Sequence, residues 1–198
     1  MINASAFILI GGMSRRFGSL KWKAVVNNVK LIDHIWGMCH DFESRFVIGK
    51  KEPKDLSYPF IADTFDIQTP LNGIHTALLN SKQDWSFIIS CDLPLINPLI
   101  FYRLEQYISK NRDAVLPIAN DKIQVACGFY HKRIISKIEM DLVKQRYSIF
   151  KFVEKINTTF VNFNECKYFW NMNTKRDLQE IVNYCTNKDN QKDENYKI

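Results

Sequence analysis

The sequence predicts an α/β protein: one sheet covered by helices on both faces, in a single domain. Three observations lead there. Short apolar, β-rich runs alternate with amphipathic stretches almost to the C-terminus. The 198 residues suffice for one well-buried domain, whereas two domains would each be small. No linker or internal repeat divides the chain.

Taken in order, the β-rich runs fall at residues 6–10, 46–48, 60–61, 87–89, 114–117, 125–130 and 159–163. Helical patterns fall at 31–41, 71–81, 98–110, 132–144, 149–155 and 174–184. Pro98 suits the first turn of its helix, where a missing N–H costs nothing, and Thr174 suits an N-cap. The domain is read as residues 1–186. Residues 187–198 are polar throughout and are expected to form a frayed tail.

Bulk properties exclude several classes. Apolar residues make up 46% and charged residues 24%, ordinary values for a globular protein. No apolar run approaches the roughly 18 residues of a membrane span, and the N-terminus lacks the basic, apolar and small-residue order of a signal peptide. The expectation is a cytoplasmic protein with no membrane partner. The five cysteines are scattered, odd in number and without a Cys-x-x-Cys pair, which argues against zinc and against a disulfide framework. The four histidines show no metal-ligand spacing. A net charge of +6 fits a small anionic ligand and also weak nucleic-acid binding.

The most informative segment is residues 11–23, Gly-Gly-Met-Ser-Arg-Arg-Phe-Gly-Ser-Leu-Lys-Trp-Lys, directly after the first strand. Glycines let backbone N–H groups approach an anion, and Arg15, Arg16, Lys21 and Lys23 supply the opposite charge. The pattern points to a polyphosphate; a plain solvated turn is the alternative. It is neither a P-loop, lacking Gly-x-x-x-x-Gly-Lys-[Ser/Thr], nor the Gly-x-Gly-x-x-Gly of dinucleotide sites. Because these cations sit in one tight loop and not along a stripe, nucleic acid ranks below a nucleotide as partner.

In open α/β sheets ligands sit beyond the carboxyl ends of strands, so the residues following each strand are the ones to inspect. Asp92 follows the run at 87–89 and precedes a proline turn. Such an Asp can hold a divalent cation, since magnesium prefers one or two carboxylates together with substrate phosphates and water. An Asx turn leading to the Pro98 helix is the structural alternative. Asp63 ends another run, shortly before Pro70-Leu71-Asn72-Gly73-Ile74. Asn171 and Asn173 stand just before the last helix. These side chains can meet a base edge, a ribose or a metal, or simply cap helices.

Taken together, these residues resemble a known family. Leu9-Ile10-Gly11-Gly12-x-Ser14-x-Arg16-x-Gly18-x-x-Lys21, Pro70-Leu71-x-Gly73-Ile74, Cys91-Asp92-x-Pro94 and Asn171-x-Asn173-Thr174 match, in order, the motifs of nucleotidyltransferases related to sugar-nucleotide pyrophosphorylases. The combination is most similar to the molybdenum cofactor guanylyltransferases (MobA-like), which join GMP to molybdopterin. The resemblance covers about residues 6 to 180. It implies a Rossmann-like three-layer sandwich of the nucleotide-diphospho-sugar transferase type, with a mostly parallel sheet. It implies that Leu9, Ile10, Gly11, Gly12, Gly49, Asp63 and Pro70 bind the nucleotide, and that Lys21, assisted by Arg16, holds the triphosphate. It implies Mg²⁺ on Asp92, with Arg16, Lys21 and Asp92 catalytic, and Asn171 and Asn173 on the molybdopterin side. The implied partners are GTP, molybdopterin or Mo-molybdopterin, molybdenum-insertion proteins and molybdoenzyme chaperones.

Three positions depart from the family pattern. Leu20 stands where an Asp usually precedes the signature lysine, Gly49 where the second strand commonly ends in Asn, and Thr69-Pro70-Leu71-Asn72-Gly73 where Gly-Pro-Leu-Ala-Gly is familiar. Alternatives stay open: a CTP-dependent molybdopterin cytidylyltransferase, a sugar-nucleotide pyrophosphorylase, or an inactive nucleotide-binding module carrying Leu20. The basic, aromatic stretch 144–155 reads as a docking surface for the pterin phosphate or a molybdenum-insertion partner. The reading it favours is a solvated helix face with Phe150 and Phe152 buried.

Overall fold

The computed structural model describes residues 1–11 and 17–195. Its centre is an eight-stranded sheet, with seven strands in the order β10-β7-β9-β6-β1-β4-β5 and β8 paired to β7. The strands are β1 (Ile2–Leu9), β4 (Phe42–Gly49), β5 (Phe60–Ala62), β6 (Trp85–Ser90), β7 (Ala114–Ala119), β8 (Lys122–Ile123), β9 (Cys127–His131) and β10 (Thr158–Asn162). β1 pairs in parallel with both β4 and β6, β4 with β5, and β7 with β10; β9 runs antiparallel between β6 and β7. Each β-rich run read from the sequence lies in or overlaps one of these strands.

The strand β1 shows why the sheet is buried on both faces. Ala4, Ala6 and Ile8 enter one core together with Ile32, Ile35, Phe87 and Phe101. Phe7 and Leu9 point the other way, into a core with Leu71, Ile74, Ile88 and Ile138. A parallel strand covered on both sides needs apolar residues at both parities, hence the near-continuous run. Helices α1 (Leu31–Met38) and α3 (Pro98–Glu105) supply the first face, α2 (Pro70–Asn80), α4 (Ile135–Val143) and α5 (Ile149–Val153) the second. This is the three-layer arrangement expected.

Helix starts follow local chemistry. Thr69 caps α2 and Asn97 caps α3, each accepting a backbone N–H two residues on, with a proline in the first turn of both helices. Thr174 accepts the N–H of Asp177, whose carboxylate accepts the N–H of Thr174 in return, a reciprocal capping box at the start of α6 (Lys175–Asn195). The backbone of α6 remains helical to Asn195.

Two hairpins escape the sequence reading. β2 (Val25–Val26) and β3 (Val29–Lys30) are joined by Asn27-Asn28, and β7 and β8 by Asn120-Asp121; all four turn residues have positive φ. Asn and Asp tolerate that region best among residues with side chains. Cys39, Cys91 and Cys127 are buried, Cys166 and Cys185 half-buried. Among the described residues no helix is long and apolar enough to cross a membrane.

Candidate active site

Because β1, β4, β5 and β6 are parallel, their carboxyl ends share one edge. There the chain leaves the sheet through Ile10-Gly11, Lys50, Asp63 and Cys91-Asp92. The edge is bonded as a unit: Ile10 N–H donates to Ile48 O (2.9 Å), Asp63 N–H to Gly49 O (2.9 Å) and Cys91 N–H to Leu9 O (3.0 Å). A cleft opens over it, walled by Leu9, Gly11, Lys50, Asp63, Pro70 and Ser90, with further lining from the turn before α2.

The glycines play different parts. A Cβ on Gly11 would meet nothing nearer than Asp63 Oδ2, at 4.0 Å, so the fold itself would accept a side chain there. The glycine leaves the cleft floor open. Gly73 is required by packing: a Cβ would stand 3.1 Å from Leu9 Cδ2, where α2 crosses β1. Gly49 is also a packing residue, its missing Cβ making room for Ile10 Cγ1 at 3.1 Å and the Phe60 ring at 3.5 Å. The residue of that strand end that lines the cleft is Lys50, which sequence reasoning missed. It pairs with Asp66 at 2.8 Å. Burial pushes the Asp63 carboxyl above its ordinary range, opposed by the charge of Lys50.

Beside the cleft lies a polar cluster. Lys21 opens a short 3-10 turn, Lys21–Lys23, anchored by buried Trp22. Its Nζ donates to Asn173 Oδ1 (2.7 Å) and stands 3.7 Å from Asp92 Oδ2. The opposite side is held from α6, since Asp177 accepts the N–H groups of Asn173 and Thr174, both at 2.8 Å. Met172 N–H donates to Asp92 O (2.8 Å), tying that segment to the end of β6. Asp92 Oδ1 is buried and, among the described residues, has no hydrogen-bond partner. A buried carboxylate oxygen without a donor is costly, and a cation is the natural way to satisfy it. Among the described residues no three His, Cys, Asp or Glu side chains gather into a metal-binding group. A cation on Asp92 would therefore fill its shell with substrate oxygens and water, the habit of magnesium.

The structure thus brings Lys21, Asp92 and Asn173 together, next to a cleft holding Leu9, Gly11, Asp63 and Pro70. Ile10 is half-buried behind it. Asn171 is exposed and lines a separate cavity with Trp170 and Asp177. Gly12 and Arg16 lie outside the described residues. Leu20 is 50% exposed, so it does not replace the family acid with a packing contact. In the stretch 144–155 Phe152 is buried but Phe150 is 53% exposed, correcting the pairing of both as core. Arg146 and Lys155 are engaged by Asp141, and Tyr147 O accepts from Thr69 Oγ1 at 2.8 Å. Asp177 and Ser90 were also missed; the Thr174-x-x-Asp177 spacing and the strand-end position were the available signals.

An apolar cleft at a parallel sheet edge, flanked by a lysine and a carboxylate with an open oxygen, is the organisation of an α/β nucleotidyltransferase. The sequence model of the MobA-like NTP transferase domain matches residues 6–157, and the chain belongs to that family. A relative from Aquifex aeolicus (strain VF5), named "Probable molybdenum cofactor guanylyltransferase", is 29% identical over 184 residues, covering 90% of each chain. The fold matches the crystal structure of molybdopterin-guanine dinucleotide biosynthesis protein A from Archaeoglobus fulgidus, with a TM-score of 0.81 at 20% identity over 92% of this chain and 99% of that one. It also matches 2-C-methyl-D-erythritol 4-phosphate cytidylyltransferase from Thermus thermophilus, with a TM-score of 0.68 at 10% identity over 92% and 98%. The fold is thus that of nucleotidyltransferases, as the sequence implied.

Proposed function

We propose that this protein is a molybdenum cofactor guanylyltransferase, moving GMP from GTP to molybdopterin or Mo-molybdopterin and releasing pyrophosphate. The observation that carries the proposal is the open Asp92 Oδ1 beside Lys21 at the mouth of the cleft. The names of relatives such as that of Aquifex aeolicus support guanine over cytosine.

A phosphate oxygen of the acceptor attacks the α-phosphorus of GTP; the new P–O bond forms as the bond to pyrophosphate breaks. The attacking phosphate is already anionic, so no Ser, Cys or His need activate it. Catalysis then rests on alignment and on neutralising the charge that grows on the leaving group. The apolar cleft over Leu9 and Gly73 receives the base and Asp63 lies by the nucleoside. Gly11 offers backbone to the phosphates. Lys21 meets the developing charge on pyrophosphate, with Arg16 assigned to assist it. Asn173 orients Lys21 through the 2.7 Å bond and, with Asn171, borders the acceptor side. Asp92 would hold Mg²⁺, which supplies charge neutralisation between the reacting and leaving phosphates. We assign this activity to the cytoplasm, with molybdenum-insertion proteins and molybdoenzyme chaperones as protein partners.

The test is to offer GTP, CTP, UTP and ATP in turn with molybdopterin and Mg²⁺, following pyrophosphate and the dinucleotide product. Turnover with GTP alone is expected. Preference for CTP would overturn the base assignment, and binding of a nucleotide without turnover would leave a nucleotide-binding module.

A further inference from the structure

We propose that Asn72 is a positioning residue that sets the wall of the nucleobase cleft, and through it the choice among nucleotides. The proposal rests on the nucleotide reading of that cleft. Asn72 lies in the first turn of α2 and is 0% exposed. Its whole amide serves one neighbouring segment. Oδ1 accepts the N–H of Phe65 (3.1 Å), while Nδ2 donates to Phe65 O (2.6 Å) and Ile67 O (3.0 Å). That segment, between the end of β5 and Thr69, has no ladder of its own, yet its Ile67 and Gln68 line the cleft.

One turn further along α2, Thr76 Oγ1 takes the N–H of Thr64 (2.9 Å) and donates to Asn72 O (2.9 Å). Two polar side chains of a single helix thus carry the wall's backbone hydrogen bonds. Among the described residues, apolar support is limited to one contact, the Phe65 ring, 36% exposed, against His75 of the same helix with centroids 5.0 Å apart, while Asp66 reaches outward to Lys50. Only an amide satisfies this arrangement, since it must accept once and donate twice. Aspartate would face two carbonyl oxygens with no proton to give. Alanine, the residue of the familiar motif at this position, would leave one N–H and two C=O groups without these partners.

The wall touches the base end of the cleft and not the Lys21–Asp92 cluster, so its loosening should separate binding from chemistry. In Asn72→Asp the KM for GTP is expected to rise about tenfold, the scale of leaving the Phe65 and Ile67 carbonyls without their donor. The preference for GTP over CTP should narrow by a similar factor, while kcat at saturating GTP stays within about threefold of the parent protein, because those reacting groups are untouched. A merely structural role would lower activity by reducing folded protein and leave KM and preference unchanged. Thr76→Val, which removes the neighbouring tie, gives the same pattern more weakly should Asn72→Asp fail to fold. Hydrogen exchange on the nucleotide-free protein reads the wall directly, and faster exchange at Phe65 N–H is expected in either variant. Unchanged exchange, or unchanged KM and preference in a folded variant, overturns the proposal. Failure of the parent protein to bind any nucleoside triphosphate removes instead the reading of the cleft on which the proposal rests.

Discussion

Replacing Asp92 by asparagine keeps the shape of the side chain and removes its charge. Folding should change little. The Lys21–Asp92 pair is 3.7 Å apart with side chains 18% and 20% exposed. Such a partly screened pair is worth up to about 1 kcal/mol. Lys21 retains its bond to Asn173, and Oδ1 has no hydrogen bond to lose among the described residues. The effect on transfer should be larger, about 2–4 kcal/mol, as for other single electrostatic groups that face developing charge. That corresponds to a rate loss of about 30- to 1,000-fold. A second readout isolates the metal. With Mg²⁺ at about 100 times its Kd, a bound cation adds roughly 2.7 kcal/mol to stability. At about 2–4 °C per kcal/mol for a chain of this size, the Mg²⁺-dependent rise in Tm with GTP is about 5–10 °C. In Asp92→Asn this increment should vanish while any metal-free shift with GTP persists. Transfer at the parent rate in Mg²⁺, with the increment intact, would refute the assignment of metal and charge to Asp92.

Three further outcomes are expected. Gly73→Ala puts a methyl 3.1–3.2 Å from both Leu9 δ-carbons, so overpacking should cost about 1–3 kcal/mol in urea unfolding and weaken nucleotide binding because Leu9 must move into the cleft. Burial would raise the Asp141 carboxyl, but the bonds from Arg146 and Lys155 outweigh it and hold it below its ordinary 3.8. The stability it contributes is therefore present above about pH 4 and lost as pH falls through the lowered folded value, so Asp141→Asn should flatten the acid limb of a Tm–pH curve without abolishing it, Asp113 being held low as well. Asp63 has the opposite sign: its charged form is disfavoured on folding, a cost absent below 3.8 and growing as pH rises through the raised folded value. Asp63→Asn should thus raise stability at pH 7 by less than about 1 kcal/mol, given solvent screening, and leave it unchanged at pH 3 while GTP binding weakens.

The sheet was legible because its centre is buried on both faces, which forces continuous apolar runs such as the one ending at Leu9. Helix starts were legible where a capping side chain shows, followed by proline at Asn97-Pro98 and without one at Thr174. The hairpins were not, since β2, β3 and β8 are two residues long and only the Asn27-Asn28 and Asn120-Asp121 turns carry a signal. Inspecting strand ends located Gly11, Asp63 and Asp92. It passed over Lys50 because β4 runs one residue beyond its apolar stretch, moving the exit from 49 to 50. Asn72 was visible only as a departure from a motif. Its three bonds depend on the path of a loop that has no periodicity to read. Phe150 misled because a five-residue helix shows too little of its pattern to tell its outer face from its inner one.

The distribution of thiols gives this protein a built-in clock. Burial pushes the Cys39 and Cys91 thiols up to about 12, and Cys127 higher still, so at neutral pH they are both occluded and almost wholly protonated. A thiol reagent applied to the native protein should modify Cys166 and Cys185 first and then stall. Cys39, Cys91 and Cys127 are buried and can react only when the structure around each of them opens. Cys91 adjoins Asp92, whereas Cys39 follows α1, so the order in which they become modified would tell whether the active-site edge opens alone or only with the whole sheet.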